Sequence, residues 1–237
     1  MRCLANVFLL VLLFAGRLGA QPDVGDILRK VNELYKGATQ YEFTVEGGSD
    51  RGDAGGSLRT LIAFKAPDRY RMDGVFPGMA LDAQESGEGV LFVHDGSTVW
   101  LYFRKANEYA SIPASALAAD SSLGGVAGES RPELFDHRMI GRYRGDWNFP
   151  ERKFLREETI DYGGGKVDCY VVSVSERKDG FTYTWWVDKK NYRVLRERSP
   201  GYSAVFTGIR INEALPDDLF KFVPPPGAKK VELPASN

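Results

Sequence analysis

The stretch Val90-Leu91-Phe92-Val93-His94-Asp95-Gly96-Ser97-Thr98-Val99-Trp100-Leu101-Tyr102-Phe103 decides the fold. Two apolar, β-branched and aromatic runs flank an Asp-Gly pair, the combination that closes a β-hairpin because glycine and aspartate tolerate the backbone twist of a tight turn. Upstream, Tyr41, Phe43 and Val45 alternate with Glu42, Thr44 and Glu46, so one side of that strand is apolar and the other wet. Further strands are expected at residues 59–65 and 69–73, around the breaker Pro67. The chain then loosens after Asn107, and a short helix is expected at residues 132–139, where Pro132 suits a first turn. Strands resume at residues 154–162, 167–175, 181–187, 193–199 and 204–211, separated by glycine-rich or Asp-Lys-Lys-Asn turns.

Before the first strand, Val24, Ile27, Leu28, Val31, Leu34 and Tyr35 recur every three or four residues, which lays one apolar stripe along a helix closed by Gly37. The residues preceding it read as an export signal. Arg2 is followed by an apolar run and by small residues at Gly19 and Ala20, with cleavage expected near Ala20. Residues 1–20 are therefore set apart, and residues 21–237 are expected to form one domain. The apolar run is too short to span a bilayer.

The whole chain has a formal net charge of −1, and its basic residues are scattered, which argues against a nucleic-acid partner. Once the signal is removed Cys169 is the only cysteine, so no internal disulfide is possible and a buried strand position is expected for it. The two histidines, His94 and His137, fall in no metal-ligand pattern. Glu157 and Glu158 are neighbours on a strand and point to opposite faces, so they cannot converge on one bond. Gly52-Asp53-Ala54-Gly55-Gly56-Ser57 has alanine where a nucleophile would stand, and Gly163-Gly164-Gly165-Lys166 lacks the remaining residues of a phosphate loop. No enzyme, cofactor or metal is expected.

The aromatic load is high, with Phe181, Tyr183 and Trp185 on one side of a strand, Trp186 on the other, and Trp100 near Tyr102. A curved sheet and a helix with surplus large apolar groups can enclose a ligand cavity.

Several segments in order resemble the outer-membrane lipoprotein carrier proteins (LolA-like) and related periplasmic lipoprotein-sorting proteins. These are the helix leading into Tyr41-Glu42-Phe43-Thr44, the run Ala63-Phe64-Lys65-Ala66-Pro67-Asp68-Arg69-Tyr70-Arg71-Met72, and the hairpin quoted above. Trp186-Val187-Asp188-Lys189 with Arg193-Val194, and the closing Leu219-Phe220-Lys221-Phe222-Val223-Pro224-Pro225-Pro226-Gly227-Ala228, complete the set. The resemblance implies a mainly β (α+β) fold, an unclosed antiparallel half-barrel of ten to eleven strands covered by the N-terminal helix and the short middle helix. It also implies a periplasmic carrier that sequesters acyl chains of lipoproteins or other lipids, receiving them from an inner-membrane transporter and passing them to an outer-membrane receptor.

The cavity-lining candidates on this reading are Tyr41, Phe43, Val45, Met72, Leu91, Trp100 and Tyr102. The carriers resemble Lys-Arg-Pro where this chain has Lys65-Ala66-Pro67, so the arginine that latches their helical lid is replaced by Ala66. Arg69 and Arg71 are candidates for that latch, and Tyr70 for partner contact near the mouth. A sensor or protein-interaction module on the same scaffold is the alternative, with residues 106–130 carrying the contacts.

Overall fold

The computed structural model describes residues 21–49, 58–74, 89–115, 149–175, 178 and 180–232. Helix α1 (Val24–Lys36) forms where its stripe predicts, with Ile27, Leu28, Val31 and Tyr35 buried. The Asp23 side chain caps it by accepting from the Gly25 N–H at 2.7 Å, which satisfies a donor the first turn leaves open. Gly37 ends it, its N–H donating to the Glu33 carbonyl.

Eleven strands follow in chain order: β1 (Gln40–Ser49), β2 (Leu58–Lys65), β3 (Arg69–Gly74), β4 (Val90–His94), β5 (Thr98–Phe103), β6 (Glu108–Pro113), β7 (Glu151–Tyr162), β8 (Gly165–Ser175), β9 (Thr182–Asp188), β10 (Val194–Ser199) and β11 (Tyr202–Ile211). A 3-10 turn (Asp217–Phe220) and a two-residue strand β12 (Lys229–Lys230) complete the described elements. All twelve strands join one sheet in the order β12-β6-β5-β4-β3-β2-β1-β11-β10-β9-β8-β7. Its two end strands, β12 and β7, do not pair with each other, so the sheet is an unclosed half-barrel. Every ladder is antiparallel except β12 against β6.

Three features depart from the sequence reading. Residues 108–113 form β6 rather than loosening: Ala110 is the one fully buried side chain of the strand, so its order comes from pairing with β5 and not from its own apolar pattern. Strand β1 runs past the alternating stretch that ends at Glu46, because Gly47 and Gly48 stay paired to β11, and a Cβ on Gly47 would lie 2.5 Å from the Tyr202 hydroxyl. The strand count is twelve rather than ten to eleven. The middle helix at 132–139, His137, residues 52–57 and most of residues 106–130 lie outside the described residues.

The β4–β5 hairpin forms around the expected Asp-Gly pair. His94 pairs Val99, the Asp95 N–H donates to the Thr98 carbonyl, and Gly96 takes φ 102°, a conformation that favours glycine.

Candidate functional site

The register of the ladders sorts every side chain onto one of two faces. Tyr41, Phe43 and Val45 of β1 lie opposite Phe64, Ile62 and Thr60 of β2, which lie opposite Tyr70, Met72 and Gly74 of β3. The row continues through His94, Phe92 and Val90 to Val99, Leu101 and Phe103. On the other side of β1, Tyr41 and Val45 meet Ile211 and Phe206 of β11. Most of these residues form one buried cluster with Ile27, Leu28, Val31 and Tyr35 of α1, so this core face is the one the helix covers. Its rings interlock: Tyr41 stacks on Phe64 at 5.2 Å, and Phe43 meets Phe206 edge-on at 5.8 Å.

Further along the core face, Trp185 is fully buried and its indole N–H donates to Glu197 at 2.8 Å, beneath an apolar surround of Val172, Val174 and Val187. The buried Tyr35 hydroxyl of α1 accepts from the Val194 N–H, tying helix to sheet, and burial raises its pKa. Half-buried aromatics packed against the cluster include Tyr70, Phe103, Phe154, Tyr170, Tyr183 and Tyr192.

The opposite, outer face carries Leu91, Val93, Trp100, Tyr102 and Tyr109, together with Lys65, Arg69 and Arg71. The C-terminal segment crosses it. Lys65 and Arg69 both bind Asp217, at 2.6 and 2.9 Å, and these hydrogen bonds from Lys65 first and then Arg69 lower its pKa. Arg71 donates to the Leu219 carbonyl at 3.3 Å, and Phe220 and Leu215 pack on Ala63. The Phe222 ring then lies 5.4 Å from Trp100, 6.0 Å from Tyr102 and 5.6 Å from Tyr109.

The seven cavity candidates therefore do not share a surface. Tyr41, Phe43, Val45 and Met72 meet on the core face, whereas Leu91, Trp100 and Tyr102 stand on the outer one. A strand's two faces differ by one residue of register, and the hairpin's apolar runs fill both faces, so its own pattern could not assign them. Tyr70 is on the core face, against Phe64 and His94. Arg69 and Arg71 hydrogen-bond the C-terminal segment and not α1, because odd-numbered positions of β3 point away from the helix. Sequence reasoning missed Phe222 and Tyr109 as members of the outer cluster. The closing Phe-x-Phe pattern was visible, but not where it lies.

Asp95 organises the hairpin that presents Trp100. Its carboxylate accepts from the Ser97 N–H and hydroxyl and the Thr98 N–H, each at 2.8 Å, and from the Trp100 indole at 3.0 Å. Partial desolvation pushes its pKa up, but the Trp100, Ser97 and Thr98 donors outweigh it and leave the carboxyl at about 2. Cys169 is buried in β8 as expected, and desolvation, reinforced by the charge of Asp188, raises its thiol to about 12. His94 accepts from the Gly96 N–H at 3.1 Å, an ordinary turn contact. Glu157 pairs with Lys189 and Glu158 with Arg156, each away from the other. Among the described residues no group of three or more His, Cys, Asp or Glu could hold a metal ion, and no helix is long and apolar enough to cross a membrane.

A family model described as "Predicted periplasmic protein (DUF2092)" matches residues 188–234. An uncharacterized protein of Methanocaldococcus jannaschii is 23% identical over 229 residues, covering 94% of this chain, and the chain spans 58% of that relative's length. The crystal structure of LprF from Mycobacterium bovis superimposes with a TM-score of 0.50 at 11% identity, covering 83% of this chain and 97% of LprF. A LolA superfamily protein of Nitrosomonas europaea matches at 15% identity over 85% of this chain and 99% of that one, with a TM-score of 0.33. In fold, this chain is similar to LprF.

Proposed function

We propose that this protein is a periplasmic binding protein that sequesters acyl chains of lipids or lipoproteins on the core face, between α1 and the sheet. One observation carries the reading: among the described residues, a single α-helix of 13 residues lies over the apolar face of a twelve-stranded sheet. Such a helix is about 20 Å long and about 10 Å across, whereas eleven inter-strand spacings extend roughly 50 Å. The face offers more apolar width than α1 can cover, and half-buried Tyr70, Phe103, Tyr170 and Tyr183 lie on it. Each methylene taken from water there contributes about 0.8 kcal/mol, so an acyl chain is held without covalent chemistry. No catalytic step is part of this reading. Its fuller form is a carrier that takes its cargo from an inner-membrane transporter and delivers it to an outer-membrane receptor, supported by the resemblance to lipoprotein-sorting proteins.

The test is native mass spectrometry of the protein purified from its own periplasm, followed by extraction of what accompanies it. Lipid or acylated peptide in one-to-one stoichiometry is expected. Phe103→Glu, which places a charge on the half-buried part of the core face, should lower uptake from phospholipid vesicles while leaving the unfolding midpoint within a few degrees. A clean apo mass with no uptake from vesicles would reject the carrier and favour a sensor or interaction module on the same scaffold.

A further inference from the structure

We infer that the cargo carries an oxyanion head group, a carboxylate or a phosphate, held by Lys30, the Tyr192 hydroxyl and Lys189 where α1 borders the uncovered part of the core face. The inference rests on the acyl-binding reading of that face and adds the chemistry of its rim. Lys30 lies three residues after Ile27 and four before Leu34, so it flanks the stripe that α1 buries. Its ammonium donates to the Tyr192 hydroxyl at 2.8 Å and stands 4.6 Å from the centre of that ring. Tyr192 stacks on Tyr170 at 6.4 Å, and Tyr170 meets Phe154 edge-on at 6.4 Å. These three rings are half-buried against the core cluster. Lys189 ends the row, its ammonium 5.2 Å from the centre of the Tyr170 ring. An apolar floor bounded by two cations is thus assembled beside the helix from α1, β7, β8 and the turn between β9 and β10.

Charge and hydrogen bonding decide what this rim takes. The two carboxylates of α1, Asp26 and Glu33, both go to Arg29, at 3.3 and 2.8 Å. Among the described residues Lys30 has no carboxylate partner, only the neutral phenol of Tyr192. An ammonium carries three N–H donors and the phenol keeps its own O–H, so donors and an uncompensated charge remain for a ligand. Lys189 is bound by Glu157 at 2.5 Å, but that carboxylate is 53% exposed, and the two lysines together still outweigh it. A carboxylate or phosphate answers both the charge and the donors, whereas the head of a neutral glyceride answers only the donors.

The rim is also pre-organised. Tyr192 takes φ 58°, a backbone conformation unfavourable for a tyrosine, and its N–H on the Asp188 carbonyl at 2.9 Å holds it there. The Asp188 side chain accepts from the Lys190 N–H at 2.8 Å and the Asn191 side chain from the Arg193 N–H at 3.0 Å, so the whole turn is pinned. Strain of this kind persists where the surrounding structure fixes a side chain in one place, and here that side chain is the phenol facing Lys30.

The test is isothermal titration calorimetry of the protein purified from its own periplasm and freed of lipid. The probes are palmitate, palmitoyl lysophosphatidate and monopalmitoylglycerol, which share one acyl chain and differ in the head. The parent should bind the two anions about tenfold or more tightly than the glyceride, and raising NaCl from about 50 to about 500 mM should weaken the anions alone. Lys30→Gln, an exposed change, should weaken both anions about tenfold and leave the glyceride within about twofold, while Lys30→Arg should keep the preference. Tyr192→Phe, which keeps the ring and removes the hydroxyl, should likewise weaken only the anions. Whichever anion binds the parent more tightly identifies the head as carboxylate or phosphate. Equal affinity of the parent for all three probes, or an equal loss for all three in Lys30→Gln, would overturn the head-group site and leave acyl binding standing. Failure of all three to bind the parent would overturn both readings.

Discussion

Replacing Asp95 with asparagine should cost stability that depends on pH in a defined direction. The carboxyl falls from an ordinary value of 3.8 to about 2 in the folded hairpin because four donors converge on it, although partial desolvation opposes them. At about 1.4 kcal/mol per pKa unit the shift corresponds to a little over 2 kcal/mol, and solvent reaching the turn reduces it to about 1–2 kcal/mol. Asparagine keeps an oxygen for Ser97 and Thr98 but turns an N–H₂ toward the Trp100 indole, which sets donor against donor. Because the folded pKa is depressed, the stabilisation is present above the unfolded value near 3.8 and is lost as pH falls through about 2. Urea unfolding of Asp95→Asn and the parent should therefore differ by about 1–2 kcal/mol at pH 7, and the gap should narrow steadily below pH 4. A gap of the same size at pH 7 and near pH 2 would refute the electrostatic origin and leave only a backbone effect of the turn.

Three further outcomes are expected. With Cys3 replaced by serine, Cys169 should react with iodoacetamide at pH 8 at least a hundredfold more slowly in the folded protein than in urea, since burial raises its thiol to about 12; equal rates would show that β8 is open to solvent. Gly74→Ala should lower stability by about 1–3 kcal/mol, because an added Cβ would lie 2.3 Å from the Arg59 carbonyl, and an unchanged Tm would show that β2 and β3 can part there. Asn212 holds φ 58° and accepts from the Thr39 N–H at 2.8 Å. Asn212→Ala should cost about 1–2 kcal/mol in urea unfolding, and Asn212→Gly should recover only the part due to backbone strain.

The α1 stripe, the β1 alternation and the β4–β5 hairpin were legible because each is a local pattern, one of helical period, one of strand period, and one of turn chemistry. Strand β6 was not, since Glu108, Tyr109 and Ser111 carry little apolar signal and the strand is ordered by its ladder with β5. The candidate site was legible in composition but not in arrangement. Tyr41, Phe43 and Val45 were identified together because alternation within one strand fixes their common side. Leu91, Trp100 and Tyr102 were grouped with them across strands, where only the register decides, and the register places them on the outer face.

By itself the sequence determined helix α1, most of the strands and their order, and the apolar side of β1, because those depend on residues a few positions apart. Tertiary structure alone decided which face each strand turns toward α1, and that the C-terminal segment, through Asp217 and Phe222, crosses the other face onto Arg69 and Trp100. The physical reason is that a shift of one residue in strand pairing reverses every side chain, and contacts between residues more than a hundred positions apart leave no local trace in the chain.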